Sequence, residues 1–320
     1  MTNNYMDYQH KPVMLKEVLA YLQPKSGGYY VDGTLGGGGY TEAIAKAAGS
    51  EGKVLAIDLD EAAIKNTAEK KFNNVVLVQD NFRNLKEIIA NNFSAEQLFD
   101  GFVLDLGLSS FQLADRRRGF SFREDTPLDM AFASAGASER TQDLINNSRE
   151  EELIKIIFNF GEEKHARRIA KGIVEQRRLK KITTTGELAE IVKRAVPRRL
   201  WSAHVHPATK TFQALRIAVN QELESLEKVL PQALAALKSG GRMVIISFHS
   251  LEDRIVKDFF RQESRACLCP PEIPVCACGH HATLKIVTKK VITPDAEEVK
   301  NNPRSRSAKM RVAEKNRELK

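Results

Sequence analysis

The run Asp32-Gly33-Thr34-Leu35-Gly36-Gly37-Gly38-Gly39-Tyr40 leaves this chain little freedom. Four consecutive glycines are costly to order inside a helix or a strand, so a turn is expected there. What flanks the turn decides its kind. Residues 29–35 (YYVDGTL) read as a short strand of β-branched and aromatic residues, and residues 41–48 have helical composition. A strand that runs through glycines into a helix brings bare backbone, and the free N–H groups of a helix start, close to a ligand.

The same alternation continues. Residues 53–58 (KVLAID) form an apolar strand ending in an acid, followed by a helix over 61–71. Residues 75–78 and 102–106 read as the third and fourth strands, with a helix over 82–91 between them. Short apolar runs separated by helices are the pattern of parallel strands covered on both faces, so the expected core is a doubly wound α/β sheet. Residues 113–205 contain no convincing strand; helical stretches at 150–160, 164–178 and 185–195, rich in arginine and lysine, predict a helical insertion. The α/β pattern then resumes. A long helical region over 211–238 is expected to kink or split at Pro231, a strand covers 242–247, and a helix covers 251–265. Residues 284–292 and 308–313 alternate as a closing antiparallel pair, and the charged tail beyond 314 is expected to fray. The expected division is core 1–112, insertion 113–205, core 206–320.

Which ligand the loop suits follows from what it lacks. A phosphate-binding P-loop needs Lys after the closing glycine, where Gly39 stands. A dinucleotide fingerprint started at Gly36 and Gly38 meets Thr41 at its third position. The loop therefore suits a ligand with an adenosine and no pyrophosphate, such as S-adenosylmethionine. Asp32 and the glycine amides would take its amino-acid end. Asp58, acceptor-only when ionised, would take the ribose hydroxyls, and the Gln79–Phe82 turn would meet adenine with a polar edge and an aromatic face. A plain tight turn is the alternative, which the acid ending the next strand disfavours. At the fourth strand end stand Asp105-Leu106-Gly107-Leu108-Ser109-Ser110-Phe111-Gln112. If the acceptor is an exocyclic base amine, whose lone pair is delocalised into the ring, a carboxylate there could accept its N–H bonds and aim the nitrogen; Asp105 could equally cap the turn, and capping is the simpler role for the two serines. A base within folded RNA would also have to be splayed from its stack.

At these residues the chain resembles the bacterial 16S ribosomal RNA (cytosine-N4) methyltransferases, the RsmH or MraW family. The matching segments are HKPVML (10–15), DGTLGGGG (32–39), DLGLSS (105–110), RGFSF (118–122), PLDM (127–130), HPATKTFQALRIAVN (206–220), SFHSLEDRIVK (247–257) and NPRSRSAKMRVAE (302–314). The resemblance implies a class I S-adenosylmethionine-dependent methyltransferase core, Rossmann-like, with a helical insertion for substrate recognition. It implies methyl transfer to N4 of a cytidine in the decoding region of 16S rRNA within the small ribosomal subunit. The family's cofactor positions fall on Gly38, Gly39, Tyr40, Asp58, Phe82, Asp105 and Gln112, with Asp105 also the candidate catalytic residue. Three positions depart from the family pattern: Tyr40 replaces histidine, Phe111 proline, and Ala131 arginine. Tyr40 can still offer its backbone N–H; Ala131 removes a cation from any phosphate contact.

The remaining features narrow the class. Lysine plus arginine total 49 against 41 acids, a net charge of +8, which suits a phosphate-rich partner. Arg116–Arg118, Arg198, Arg199, Arg304, Arg306 and Arg311 are the candidate phosphate contacts. No signal peptide and no membrane-length apolar run is visible, so the expectation is a cytoplasmic protein without a membrane partner; homodimer formation is left open. His249 is a candidate to bind substrate or to pair with Glu252 or Asp253, and His206 reads as structural. Cys267, Cys269, Cys276 and Cys278 have the residue types for tetrahedral zinc but a tighter C-x-C spacing than usual. Methyl transfer needs no metal, so none is assigned. Two other classes compete: a dehydrogenase, disfavoured by the missing third glycine, and a non-catalytic rRNA-binding protein, disfavoured by the intact strand ends.

Overall fold

The structure, a computed structural model, describes residues 12–94, 96–108, 118–122, 124–132, 140–202, 205–270, 272 and 275–317. The chain divides into two compact units, one made of Met1–Gly107 with Leu223–Lys320 and one of Leu108–Glu222.

The first unit is built on one seven-stranded sheet. Its strands are β1 (Tyr29–Asp32), β2 (Lys53–Asp58), β3 (Val75–Gln79), β4 (Phe99–Asp105), β5 (Leu237–Ser247), β6 (Leu284–Ile286) and β7 (Lys309–Lys315), in the order β3-β2-β1-β4-β5-β7-β6. The first five run parallel, and β7 is antiparallel to both β5 and β6. Helices α1 (Leu15–Leu22), α2 (Gly39–Ala48), α3 (Glu61–Ala68) and α4 (Leu85–Asn92) belong to this unit. The central strands are buried on both faces, and alternate residues separate into two cores. Val31, Phe102, Leu104 and Ile245 face one core, which also holds Leu85 and Ile88 of α4. Tyr30, Val103, Val244 and Val312 face the other, with Val18 of α1 and Ile44 of α2. Each such side chain contributes about 1.5–3 kcal/mol when fully buried, so the two cores together fix which strand neighbours which.

Register places the strand ends together. Asp32 pairs with Ala56 and Val103, Asp58 with Gln79, and Asp105 with Ile246. Three carboxylates therefore lie along one edge, at the C-terminal ends of β2, β1 and β4. Strand order reverses between β1 and β4, which makes that gap the topological switch point where doubly wound sheets bind ligands.

The second unit, over its described residues, is helical: α5 (Thr141–Asn147), α6 (Glu150–Gly161), α7 (Ala166–Leu179), α8 (Thr185–Ala195) and α9 (Thr209–Asn220). Helix α6 packs against α7 and α9, and the core includes Leu153, Ile157, Ile169, Ile173, Leu188 and Leu215. Thr184 and Glu187 form a reciprocal capping box that starts α8. Ala131, where the family pattern has arginine, is buried in this core, and its carbonyl accepts from Arg118 at 2.9 Å.

Among the described residues, the further α-helices are α10 (Glu222–Ala236), α11 (Ser250–Glu263) and α12 (Ala296–Asn301). The expected split at Pro231 is not there. Pro231 lies inside α10, exposed, and the long helical region is cut at Gln221, whose φ of 49° and ψ of 40° are left-handed. Arg216 fixes the corner through two bonds to Glu222, 2.8 and 2.9 Å. The helical unit consequently closes at Glu222 and not near 205, because α9 packs on α6. Residues 284–292 also shorten: only Leu284–Ile286 is strand, and Ile292 makes an isolated bridge to Met310.

Since the ring of Pro231 is exposed and its position costs a helical hydrogen bond, Pro231→Ala should stabilise the protein by about 1–3 kcal/mol in urea denaturation. Unchanged or lower stability would show that the proline shapes α10.

Candidate active site

Asp32 has no exposed surface. Its Oδ2 accepts from the Thr41 hydroxyl at 2.7 Å and its Oδ1 from the Thr34 N–H at 3.2 Å. Burial pushes its pKa up to about 6, against these two donors. Thr41 is the residue that spoils the dinucleotide fingerprint; in the fold it is the buried hydroxyl that holds the strand-end acid.

The glycines work by what they leave out. A Cβ on Gly33 would stand 2.6 Å from Leu104 Cδ2. Gly38 has a φ of +76° and caps α2. A Cβ on Gly39 would stand 2.7 Å from Pro12 Cγ, so the loop closes directly onto the segment before α1. Gly36 donates its N–H to Asp58 Oδ2 and Asp60 donates to Asp58 Oδ1, each at 2.8 Å, which sets the plane of the Asp58 carboxylate.

At the third strand end, Asp80 accepts from the Asn81 N–H at 2.6 Å and from Asn84 Nδ2 at 2.9 Å. Asn81 accepts from the Arg83 N–H at 3.0 Å. This polar turn sets down half-buried Phe82, whose Cβ lies 3.6 Å from a Cβ position on Gly33.

Asp105 ends β4. Its backbone N–H donates to Thr34 Oγ1 at 2.7 Å, tying the fourth strand end to the glycine loop. Its Oδ1 is sealed from solvent and has no hydrogen-bond partner. Burial, and the charges of Asp32, Glu252 and Glu298, push its pKa up to about 8. Beside it is Tyr40, which does more than the sequence implies. The ring is buried, the hydroxyl donates to the Val13 carbonyl, and burial with the charges of Asp105 and Asp32 holds the phenol protonated. Pro12 and Val13, from the HKPVML segment, are thus part of the wall of the loop.

Asp32, Gly38, Gly39, Tyr40, Asp58, Phe82 and Asp105 therefore gather at one edge of the sheet. Gln112, with Ser109, Ser110 and Phe111, lies outside the described residues. Sequence reasoning passed over Thr34 and Thr41, whose hydroxyls bind the strand ends together; their place flanking the glycines was the available signal. His249 pairs with Glu252 and not with Asp253: its Nδ1 accepts the Glu252 N–H at 3.4 Å, and Glu252 Oε2 accepts the His249 N–H at 3.2 Å, a capping box for α11. Asp253 instead takes Arg311 at 2.6 and 3.1 Å, which removes that arginine from the phosphate candidates. Arg118 is bound to the carbonyls of Ala131 and Phe132; Arg116 and Arg117 are outside the described residues. His206 Nδ1 accepts the Ala208 N–H at 3.2 Å, a structural role.

The model of the MraW methylase family matches residues 7–316. The chain belongs to that family. Among curated proteins it is 46% identical over 313 residues to the Ribosomal RNA small subunit methyltransferase H of Heliobacterium modesticaldum, covering 97% of this chain and 99% of that one. The protein of that name from Dehalococcoides mccartyi is 50% identical over 313 residues, covering 97% and 87%. Among solved structures, an rRNA methylase from Streptococcus thermophilus aligns over 95% of this chain and 94% of its own, at 11% identity and a TM-score of 0.42. The methylase has the class I fold of the S-adenosylmethionine-dependent methyltransferases, as the resemblance implied. No described helix is long and apolar enough to cross a membrane.

Both raised carboxylates make the free methylase lose stability with rising pH. Asp32 and Asp105 hold protons in the fold up to about 6 and about 8, whereas the unfolded chain releases them near the ordinary range of about 4. The stabilisation is complete below that range and is lost as pH rises through the folded values. In denaturation measured from pH 4 to 9, Asp105→Asn should flatten the decline between about pH 6 and 8, where Asp32 has already lost its proton in both states; an unaltered slope would contradict the assignment.

Proposed function

We propose that this methylase transfers a methyl group from S-adenosylmethionine to the exocyclic N4 of a cytidine in the decoding region of 16S rRNA. The observation that carries the cofactor reading is Asp105 Oδ1, an acceptor sealed from water with no partner, set at the switch point beside a second buried acid. A cation bearing N–H donors, such as the cofactor's ammonium, answers both needs. The family matches and the names of the curated relatives support small-subunit rRNA as the substrate. The cytidine N4 specificity rests on the motif resemblance.

When bound, S-adenosylmethionine supplies a methyl group activated by its sulfonium. The chain's own residues do the positioning. Asp58 accepts from the ribose hydroxyls, and Phe82 offers an aromatic face to adenine. Glycine-loop amides receive the carboxylate, helped by the start of α2. Asp105 holds the ammonium and, at the same strand end, steers the target amine. The amine nitrogen is a poor nucleophile, so fixing its direction and excluding water lower the barrier more than a strong base would. The helical unit receives the RNA. Along α7 the apolar side is buried in the core while Arg167, Arg168, Lys171 and Arg178 are exposed, a surface suited to phosphates.

Mass analysis of 16S rRNA nucleosides from cells with and without the protein tests the reading as a whole. N4-methylated cytidine should disappear with the protein, and its persistence would refute the assigned reaction.

Within the cofactor site, Asp58→Ala should weaken S-adenosylmethionine by about 1–3 kcal/mol, because ribose donors lose their acceptor. Unchanged affinity in calorimetry would remove Asp58 from that role. Asp105→Asn separates two duties of the strand-end acid. If the ammonium is its main partner, affinity falls and saturating cofactor restores most of the rate. Normal affinity with a slow single turnover would assign Asp105 to the amine instead.

In the helical unit, Arg167→Glu combined with Arg168→Glu should reduce rRNA methylation, most strongly at low salt, and leave cofactor affinity intact. Full activity of that variant would exclude α7 from the RNA surface.

A further inference from the structure

The four cysteines are left over by the reaction, yet the fold brings them together. They lie between α11 and β6, and their Sγ atoms all fall within 4.8 Å of one another. Cys267 and Cys276 are 3.3 Å apart, Cys267 and Cys278 3.7 Å, and Cys276 and Cys278 3.6 Å. Four sulfurs around a tetrahedral zinc, each at about 2.3 Å, would be about 3.8 Å apart. A disulfide needs about 2.05 Å and joins sulfurs in exclusive pairs. All four cysteines are free thiols here, and three are mutually close, which is the arrangement of a shared centre and not of two bonded pairs.

The backbone is turned toward the sulfurs. Cys269 donates its N–H to Cys267 Sγ at 3.3 Å, Leu268 to Cys278 Sγ at 3.4 Å, and Ala277 to Cys269 Sγ at 3.4 Å. Donors of this kind stabilise negative charge on sulfur, the form in which cysteine binds a metal. Two of these donors, Leu268 and Ala277, are the middle residues of the C-x-C pairs, the spacing that counted against zinc in the sequence.

The described residues of this segment supply no apolar core. None of its described residues from Ser264 to Thr283 is buried, and Val275 is 75% exposed. Its base is closed by Thr283, which donates its N–H to the Glu263 carbonyl at 2.8 Å and its hydroxyl to Glu263 Oε2 at 2.6 Å. The His280 ring pairs with the Gln262 carbonyl at 3.2 Å and is engaged there. A loop that buries so little ordinarily depends on a cross-link for a fixed shape.

We propose that Cys267, Cys269, Cys276 and Cys278 bind one zinc ion as a structural tetrathiolate site. Binding releases four thiol protons to solvent and moves no electrons. The ion staples the connection from α11 to β6 and takes no part in methyl transfer.

Metal analysis of the full-length, untagged protein from zinc-supplemented cells tests this directly. About one zinc per chain is expected. Titrating the native protein with an organomercurial should release that zinc to a chromogenic chelator in step with thiol modification. Cobalt(II) added to metal-stripped protein should give sulfur-to-cobalt charge-transfer bands and the intense visible bands of tetrahedral coordination. Cys269→Ser and Cys276→Ser should each lose the zinc and the cobalt spectrum while S-adenosylmethionine affinity stays within about twofold, showing an intact core. Protein without zinc whose thiols react freely would overturn the site. So would a non-reduced mass lighter by four hydrogens, which marks two disulfides. Iron at full occupancy would overturn the choice of zinc.

Discussion

A carboxylate with no route to water sits at the end of β1, and much of what surrounds it answers that one unfavourable burial. Thr41 turns its hydroxyl inward from the first turn of α2, and Thr34 supplies both an N–H to Asp32 and an acceptor to the backbone of Asp105. Two acids with raised pKa values at neighbouring strand ends disfavour full ionisation of the pair. The free protein therefore keeps a partly protonated, partly unsatisfied arrangement that a cationic ligand would complete. Such preorganisation costs stability in the absence of ligand and converts the cost into affinity when the ligand arrives.

The wall of the site comes from unexpected parts of the chain. Pro12 and Val13 lie far from the strand ends in a linear reading, yet one presses on Gly39 and the other receives the Tyr40 hydroxyl. Where the family pattern has histidine, Tyr40 stands in the first turn of α2 and carries a phenol anchored in the apolar face beneath. The substitution thus falls on the side of the helix that faces the core.

How far the chain could be read from its letters depended on whether information was local. KVLAID was legible to the residue because five of its six positions are apolar or alanine or lysine stem, with Asp58 a natural terminus. The run 29–35 looked longer than β1 because Thr34 and Leu35 suit strands, although the chain leaves the ladder at Gly33. Phe99–Gly101 was missed from β4 because Asp100 and Gly101 are poor strand formers; tertiary pairing with β5 overrides them. Gln221 gives no local sign of its left-handed backbone, which the pairing of Arg216 with Glu222 fixes from outside. Pro231 signals a break but sits on a solvent face where α10 tolerates it. The carboxylates of the site were legible because they end strands. Their partners Thr34 and Thr41 were not, since a hydroxyl's direction belongs to packing; Tyr40 was named for its backbone, and its hydroxyl bond to Val13 was not legible. Gln112 stands outside the described residues, so its role still rests on the motif.

The position of β7 has a consequence for biosynthesis. It is later in the chain than both of its neighbours, yet it lies between them. Until residues 309–315 have emerged, β5 keeps an open edge and β6 has no strand to pair with. A chain that has paired β1 to β5 but lacks β7 would present an unfinished sheet edge, whose unpaired N–H and C=O groups invite other chains. Completion is a long-range insertion and not an addition at the rim, so it is slow by the standards of local pairing. Strand β7 thus locks β5 to β6, and an interruption of translation before it leaves the β5 edge exposed where the folded sheet has it paired.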